Sequence, residues 1–235
     1  MEQTAISPTA IYWIIFIAIA IASWVVSYSL KSKFEKYSKE PLPMTGREVA
    51  ERMLRDNGIT DVKVTCVKGQ LTDHYNPATK TVNLSESVYG QTNIAAAAVA
   101  AHECGHAVQH AHAYGPLKMR SALVPVVSFS SNWVMWILLA GMLLIGSQAG
   151  HVILLVGIGL YAMLTLFSFI TLPVEVNASR RAVNWLEESG ITDRQTTAMA
   201  SDALKSAAYT YVVAALGSLA TLLYYVMIYL GSSRR

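Results

Sequence analysis

The sequence is short of charge and nearly free of cysteine. Only 14% of its 235 residues are charged, while 53% are hydrophobic, which is too apolar for an ordinary soluble domain. Lysine and arginine are not interleaved with aromatic residues along any stretch, so no nucleic-acid partner is expected. The two cysteines, Cys66 and Cys104, form neither a CxxC pair nor a disulfide framework, which favours a reducing compartment. These deficits favour an integral membrane protein.

Four uncharged runs are long enough to cross a bilayer as helices. They cover residues 11–30, 122–145, 152–172 and 207–230. The first run is not expected to be a cleaved signal peptide, because no Lys or Arg precedes it and it is too long for the apolar region of such a peptide. A multi-pass protein of the cell membrane, in contact with lipid, is therefore expected.

The first polar segment, residues 31–120, predicts a small α+β unit. A helix over 45–57 begins with Thr45 as its cap and Glu48 as the capping-box partner, and Gly58 ends it. Three strands and an alanine-rich helix should follow, with the last two strands joined at an Asn-Pro turn. These elements are predicted at 62–67, 71–75, 80–84 and 94–112.

The basic residues set the expected orientation in the membrane. Most of the 18 Lys and Arg residues lie in the segment 31–120, and four lie in a second polar segment, a charged helical insert at 173–206. Because positive residues favour the cytoplasmic side, both polar segments are expected in the cytoplasm and the N-terminus outside. Arg234 and Arg235 then fall outside, against the same rule.

The motif that organises the rest of the chain is HECGH at residues 102–106. On a helix, His102 and His106 project from one face about 6 Å apart, close enough to bind one zinc ion. Glu103 lies about 100° round the helix, where its carboxylate reaches a metal-bound water. Cys104 should point away from the ion as a small core residue. The alternative is a chance match, with both histidines as satisfied polar groups on a helix.

A third ligand is expected from the second polar segment. Glu175 follows the third apolar run directly, and Pro173 suits a kink or a restart of the helix there. Two histidines and one glutamate, with one position left to water, form the open coordination of a catalytic zinc site. An ionised glutamate at that depth is unfavourable unless it meets a cation or a metal. A helix cap or an ion pair with Arg180 or Arg181 is the alternative.

His112 is a rival third ligand, because it lies ten residues after His102, as in H-E-x-x-H-x-x-G-x-x-H sites. Those sites need a glycine that turns the chain after the helix, and Gln109 stands in its place here. Glu175 is therefore the preferred ligand. Histidine and carboxylate ligands accept several divalent ions, so one Zn²⁺ is the expected cofactor without being the only possible metal.

Further residues near Glu175 are secondary candidates. Ser179 lies about one turn later, where a hydrogen-bond partner for a ligand histidine is often found, and Asn177 is nearby. Arg180 or Arg181 would stabilise an oxyanion or anchor the chain at the membrane interface.

The hairpin at 71–84 is the candidate substrate-binding edge. Peptidases commonly hold an extended substrate by adding it to a sheet edge beside the metal helix. His74 and Tyr75 are therefore further candidates for the site, although a histidine in such a turn is often merely solvated. The expected partner is a peptide or protein substrate, including one associated with the membrane.

Three segments carry a family resemblance: LTDHYNPATKTVNLSESVYG at 71–90, HECGHAVQHA at 102–111 and LPVEVNASRRA at 172–182. With them, the chain resembles the YugP-like family of bacterial membrane zinc metallopeptidases over nearly its whole length. It is also distantly similar to membrane gluzincins of the CAAX prenyl protease and HtpX type, which show an Asp where this chain has Ser179. The resemblance implies a peptidase without a defined substrate.

The expected fold is mainly α, an integral membrane protein with four transmembrane helices and a small cytoplasmic α+β unit of the zincin-like type. The expected function is a membrane-bound zinc endopeptidase with Glu103 as general base. An intramembrane, site-2-like metalloprotease is disfavoured, because the later spans lack a Leu-Asp-Gly motif. A non-enzymatic metal-dependent scaffold would need the histidines without Glu103. A transporter would have to use Ser130, Ser131 and Asn132, since no charged residue lies inside the spans.

Overall fold

A computed structural model describes residues 8–232, which form seven α-helices and three β-strands. The fold is mainly α with one small sheet, as predicted. The helices are α1 (Pro8–Tyr37), α2 (Gly46–Asp56), α3 (Glu86–Tyr89), α4 (Ile94–Ala111), α5 (Gly115–Leu143), α6 (Gln148–Glu188) and α7 (Arg194–Ser232). The strands are β1 (Lys63–Val67), β2 (His74–Asn76) and β3 (Thr81–Ser85).

These elements are divided between two compact units. The first unit contains residues up to 25, 119–171 and from 211 onward, and the second contains 26–118 and 172–210. The long helices α1, α5, α6 and α7 each contribute residues to both units.

The first unit contains the most apolar parts of the chain. Four helices are long and apolar enough to cross a membrane, namely α1 from Tyr12 onward, α5, α6 and α7, so the predicted number of spans is confirmed. Large side chains such as Trp133 and Trp136 are 54% and 66% exposed, as expected for surfaces that face lipid. Gly141 of α5 lies against the backbone of Leu154 in α6, the close approach that small residues allow between membrane helices.

The helices extend beyond the predicted spans. The insert at 173–206 was expected to be a separate helical segment, but its first part continues α6 and its last part begins α7. A short turn with Gly190 at φ 69° connects them. The prediction that the helix restarts at Pro173 is wrong, because α6 continues through this residue. A proline removes one backbone donor, a loss that a long and well-packed helix can tolerate.

The helix α2 contributes to the hydrophobic core of the second unit. Thr45 caps this helix through the Glu48 amide, and the Glu48 carboxylate accepts a 2.7 Å hydrogen bond from the Thr45 amide, so the predicted capping box is confirmed. The buried face of α2 includes Val49 and Met53, and it packs against α4. This packing holds α4, which carries HECGH, in the centre of the unit.

The sheet has the order β1-β3-β2, with β1 parallel to β3 and β2 antiparallel to β3. The predicted hairpin is confirmed, although the strand expected at 71–75 begins only at His74. Its early part is not extended, because Leu71 adopts the left-handed conformation with φ 58°. The strand β2 is consequently a short edge strand, and it contacts α4.

Gly105 brings α4 into backbone contact with α6. A Cβ atom at this position would lie 2.6 Å from the carbonyl oxygen of Ala178 and 3.1 Å from its Cα. We expect Gly105→Ala to lower the free energy of unfolding by about 1–3 kcal/mol, because the two helices would have to separate. Thermal unfolding in detergent measures the effect. Gly90→Ala is the control, since a Cβ at Gly90 meets nothing within 4 Å, and equal losses in both variants would contradict the prediction.

Candidate metal centre

Two imidazoles and one carboxylate converge in the second unit. His102 and His106 lie one turn apart on α4, and their ring centroids are 4.8 Å apart. Glu175 on α6 directs Oε2 to within 3.3 Å of His102 Nε2 and 3.5 Å of His106 Nε2. Residues about 70 positions apart in the sequence therefore form one cluster.

The cluster has the donor atoms and spacing of a divalent-metal site. Its ligand atoms all lie within 4.8 Å of one another. Zinc bound tetrahedrally at about 2.0–2.1 Å keeps its ligand atoms about 3.3–3.4 Å apart, close to the two nitrogen-to-oxygen distances at Glu175. Glu175 is only 3% exposed, and such a buried carboxylate needs positive charge nearby. The three residues therefore fit a bound divalent cation.

Each histidine is oriented by a hydrogen bond at its Nδ1 atom. Ser179 Oγ lies 3.1 Å from His102 Nδ1, and Gln109 Oε1 lies 3.0 Å from His106 Nδ1. When each Nδ1 donates its proton to these oxygens, both Nε2 lone pairs face Glu175. This tautomer is the one that a metal requires.

Gln109 is completely buried and belongs to a network that sequence reasoning missed. Its Nε2 atom donates to the Val174 carbonyl at 2.8 Å and to Asn177 Oδ1 at 2.9 Å. Arg181 donates through Nε to the same Asn177 oxygen. The sequence presented Gln109 only as the residue where a glycine was missing. Its position three residues after His106, on the same helix face, was the available signal.

Opposing effects act on the pKa of His106. Burial alone would lower the pKa of His106, but its hydrogen bond to Glu175 and the negative charges of Glu103 and Glu175 raise the pKa above its usual value. Cys104 lies on the opposite side of α4, where burial raises the pKa of its thiol. It is the core residue predicted, since its thiol donates to the Ala50 carbonyl.

Glu103 lies beside the cluster without being part of it. Its side chain is 8% exposed, and its Oε2 atom accepts a 3.0 Å hydrogen bond from the backbone amide of Tyr75. This hydrogen bond shows that the Tyr75 amide is directed toward α4. The outer edge of β2 therefore faces the residue expected to act as base.

The other predicted candidates lie at the margin of the site. The His74 ring is exposed and bonded to the Thr72 carbonyl and to Asn83. The Tyr75 hydroxyl lies 3.0 Å from His110 Nδ1. Arg180 is exposed, and His112 is the exposed C-cap of α4. The alternative of His112 as the third ligand is wrong for this geometry, because α4 continues straight to its end without the turn that would bring this ring back.

Comparisons with known proteins agree with this chemistry. A protein-family profile whose description is "Putative neutral zinc metallopeptidase" matches residues 12–230. The chain is 44% identical over 217 residues to "Putative membrane protease YugP" of Bacillus subtilis (strain 168), which covers 91% of this chain and 93% of that protein. No solved structure matches the chain. A match over nearly the whole length shows that the chain belongs to the family described as "Putative neutral zinc metallopeptidase".

Proposed function

We propose that the chain is a membrane-bound zinc endopeptidase, in which His102, His106 and Glu175 hold one zinc ion and Glu103 is the general base. The observation that carries this proposal is the convergence of Glu175 on both imidazoles, with Glu103 next to them. A paired His motif alone occurs by chance, but a third buried ligand from a distant helix is the arrangement of a catalytic site with one open position.

The residues around the metal have separate tasks in this mechanism. Bound zinc supplies a Lewis acid that polarises the scissile carbonyl and lowers the pKa of its water. Glu103 would be the group that accepts a proton from the attacking water and donates it to the leaving amine. The Tyr75 amide holds Oε2 of Glu103 in place, so Oε1 would be the oxygen that exchanges the proton. Ser179 and Gln109 keep both imidazoles in the binding tautomer.

An extended peptide is the substrate that this arrangement favours. The strand β2 is an edge strand, and its outer face is directed toward Glu103. A peptide lying beside this edge, with the Tyr75 amide still bonded to Glu103, would run along α4 and place a backbone carbonyl near the three ligands. Peptides and proteins, including those associated with the membrane, are the proposed partners.

The proposed active site lies at the cytoplasmic membrane face. The Lys and Arg residues of 31–120 and of 173–206 support this orientation. An intramembrane site is less well supported, because α4 is not among the helices that are long and apolar enough to cross a membrane in the described part of the chain. Instead, α4 is buried against α2 in the core of the second unit.

Metal removal tests the proposal directly. The detergent-purified protein should contain one zinc ion per chain and cleave casein, and 1,10-phenanthroline should abolish cleavage until zinc is restored. Metal analysis and peptide release measure both quantities. Full cleavage by metal-free protein would refute the proposal. Bound zinc without cleavage of casein or of a broad peptide library would instead support the non-enzymatic scaffold.

Gln109→Leu is expected to weaken zinc binding about 10-fold to 100-fold, the usual effect of losing a hydrogen-bond partner of a ligand histidine. Leucine has a similar volume but leaves His106 Nδ1 and the Val174 carbonyl without this partner. Competition with a fluorescent chelator measures the affinity. Gln91→Leu is the matched control, because Gln91 is exposed. Equal zinc affinities in the two variants would show that Gln109 does not orient His106.

A further inference from the structure

A cavity of about 600 Å³ opens in the second unit, apart from the metal ligands. This volume is within the usual range of ligand pockets, about 300–1,000 Å³, and exceeds that of one side chain. Its wall is contributed by the end of α1, the loop before β2, the short helix α3 and the first half of α4. Its apolar lining includes Leu30, Phe34, Leu71, Val88, Ala96 and Val99.

The cavity continues the proposed active site along two elements. Val99 on α4 precedes His102 by three residues and Glu103 by four, so it shares their side of the helix. Asp73 also lines the cavity, and it lies two residues before Tyr75, whose amide contacts Glu103. Following α4 backward from His102, or the chain backward from Tyr75, therefore leads into the same space.

The distance suits a side chain near the scissile bond. With a rise of about 1.5 Å per helical residue, the α4 wall begins about 4.5 Å from His102 and ends about 10 Å from it. An extended peptide advances about 3.3 Å per residue. The side chain that fills the cavity would therefore belong to a residue within about three positions of the scissile bond.

The charges of the lining favour a peptide over a lipid headgroup. Lys31 is the only cationic residue in the lining, whereas Glu35 and Asp73 are acidic. The Asp73 carboxylate is engaged by the amide and the hydroxyl of Ser85, which fixes the loop at one wall. Glu35 is also paired with Lys39, so the rim has no surplus of positive charge to hold a phosphate group, while an uncharged apolar side chain would meet Phe34 and Val99.

We propose that this cavity is a specificity subsite, which binds one bulky apolar side chain of the peptide substrate within three residues of the scissile bond. The proposal rests on the proposed peptidase function, because the subsite is defined by its position next to the zinc ligands and Glu103. Burial of a Leu or Phe side chain there should favour such peptides about 10-fold to 100-fold over peptides with alanine at that position.

The first experiment compares cleavage-site profiles. Wild-type protein, Val99→Trp, Phe34→Ala and the control Val152→Trp are incubated with a proteome-derived peptide mixture, and the products are identified by mass spectrometry. Val152 is 58% exposed outside the second unit, so its substitution should leave the profile unchanged. Val99→Trp should reduce the preference for Leu, Phe and Met at one fixed position at least tenfold and favour small residues. Phe34→Ala enlarges the cavity, so this variant should keep the preference for large apolar residues or accept larger ones as well. An unchanged profile in Val99→Trp that is folded and zinc-loaded would overturn the proposal.

The second experiment separates the subsite from catalysis. Fluorescein-labelled soluble peptides with a single Leu in an otherwise alanine-rich sequence are titrated into Glu103→Gln protein, with and without Val99→Trp. The Leu peptide should bind at least tenfold more tightly than its all-alanine counterpart, and Val99→Trp should remove that difference. If this pattern appears while wild-type protein cleaves nothing, the peptidase proposal fails, and with it the placement relative to a scissile bond, while the cavity stands as a binding site for an apolar peptide side chain. Equal binding of the two peptides, or a stoichiometric co-purified lipid displaced by Val99→Trp, would overturn the subsite.

Discussion

Replacing Glu103 by glutamine is expected to abolish peptide hydrolysis while zinc remains bound. The amide oxygen can still accept the hydrogen bond from the Tyr75 amide, so the side chain should keep its position. An amide cannot take a proton from the metal-bound water, and loss of a general base lowers the rate about 10²-fold to 10⁴-fold. Glu103 is not among the three residues of the metal cluster, so zinc content should stay at one ion per chain. Casein cleavage and metal analysis on the same preparation measure both outcomes.

Glu86→Gln is a suitable control for this experiment. Glu86 is an exposed carboxylate in the first turn of α3, and its substitution removes the same charge away from the cluster. Parental activity in this variant, together with loss of activity in Glu103→Gln, would assign the effect to the base. Cleavage by Glu103→Gln at the parental rate would exclude Glu103 as the base. The two histidines would then bind metal without Glu103 taking part in catalysis.

The local part of the site could be predicted because it depends on helix geometry alone. Four residues make about one turn, so His102 and His106 share a face wherever an unbroken helix contains them. The same applies to the Thr45 capping box, which depends on residues three positions apart. Four membrane-crossing helices were also predictable, since the length of an apolar run decides whether a helix can cross a bilayer.

The tertiary part could be predicted only in outline. The position of Glu175 after an apolar run indicated a ligand, but its approach depends on the contact between Gly105 and the Ala178 backbone. Nothing local in the sequence pairs these two residues. The role of Gln109 was missed for the same reason, because its partners Val174 and Asn177 belong to another helix.

Two predicted elements are wrong because tertiary structure overrides the local preference of a residue. Pro173 predicts a helix boundary from its missing amide, yet α6 continues through it. The consequence is functional, because Glu175 then projects from a continuous helix whose next turn carries Ser179. Leu71 has a side chain that suits a strand, but its left-handed backbone places it in the loop that lines the cavity.

Glu175→Gln is expected to lower zinc affinity at least about 100-fold. This effect is larger than the one expected for the loss of a residue such as Gln109, which only forms a hydrogen bond to a ligand histidine. The amide removes the negative charge that faces both Nε2 atoms and is a much weaker metal ligand. The stabilisation that zinc binding gives to the folded protein should decrease together with the zinc affinity. A ligand at 100 times its dissociation constant stabilises the folded state by about 2.7 kcal/mol, and this gain should fall to about 0.4 kcal/mol or less at the same zinc concentration in the variant. Chelator competition and thermal unfolding with and without zinc measure the two effects.

Glu187→Gln is the matched control for that prediction, because Glu187 is exposed three turns later on the same helix. It should bind zinc as the parent does. An ion pair that serves only the fold would give a different pattern, in which Glu175→Gln unfolds earlier both with and without zinc but retains parental zinc affinity. That result would remove Glu175 from the metal site and would leave two histidines, which are too few ligands for the catalytic centre proposed here.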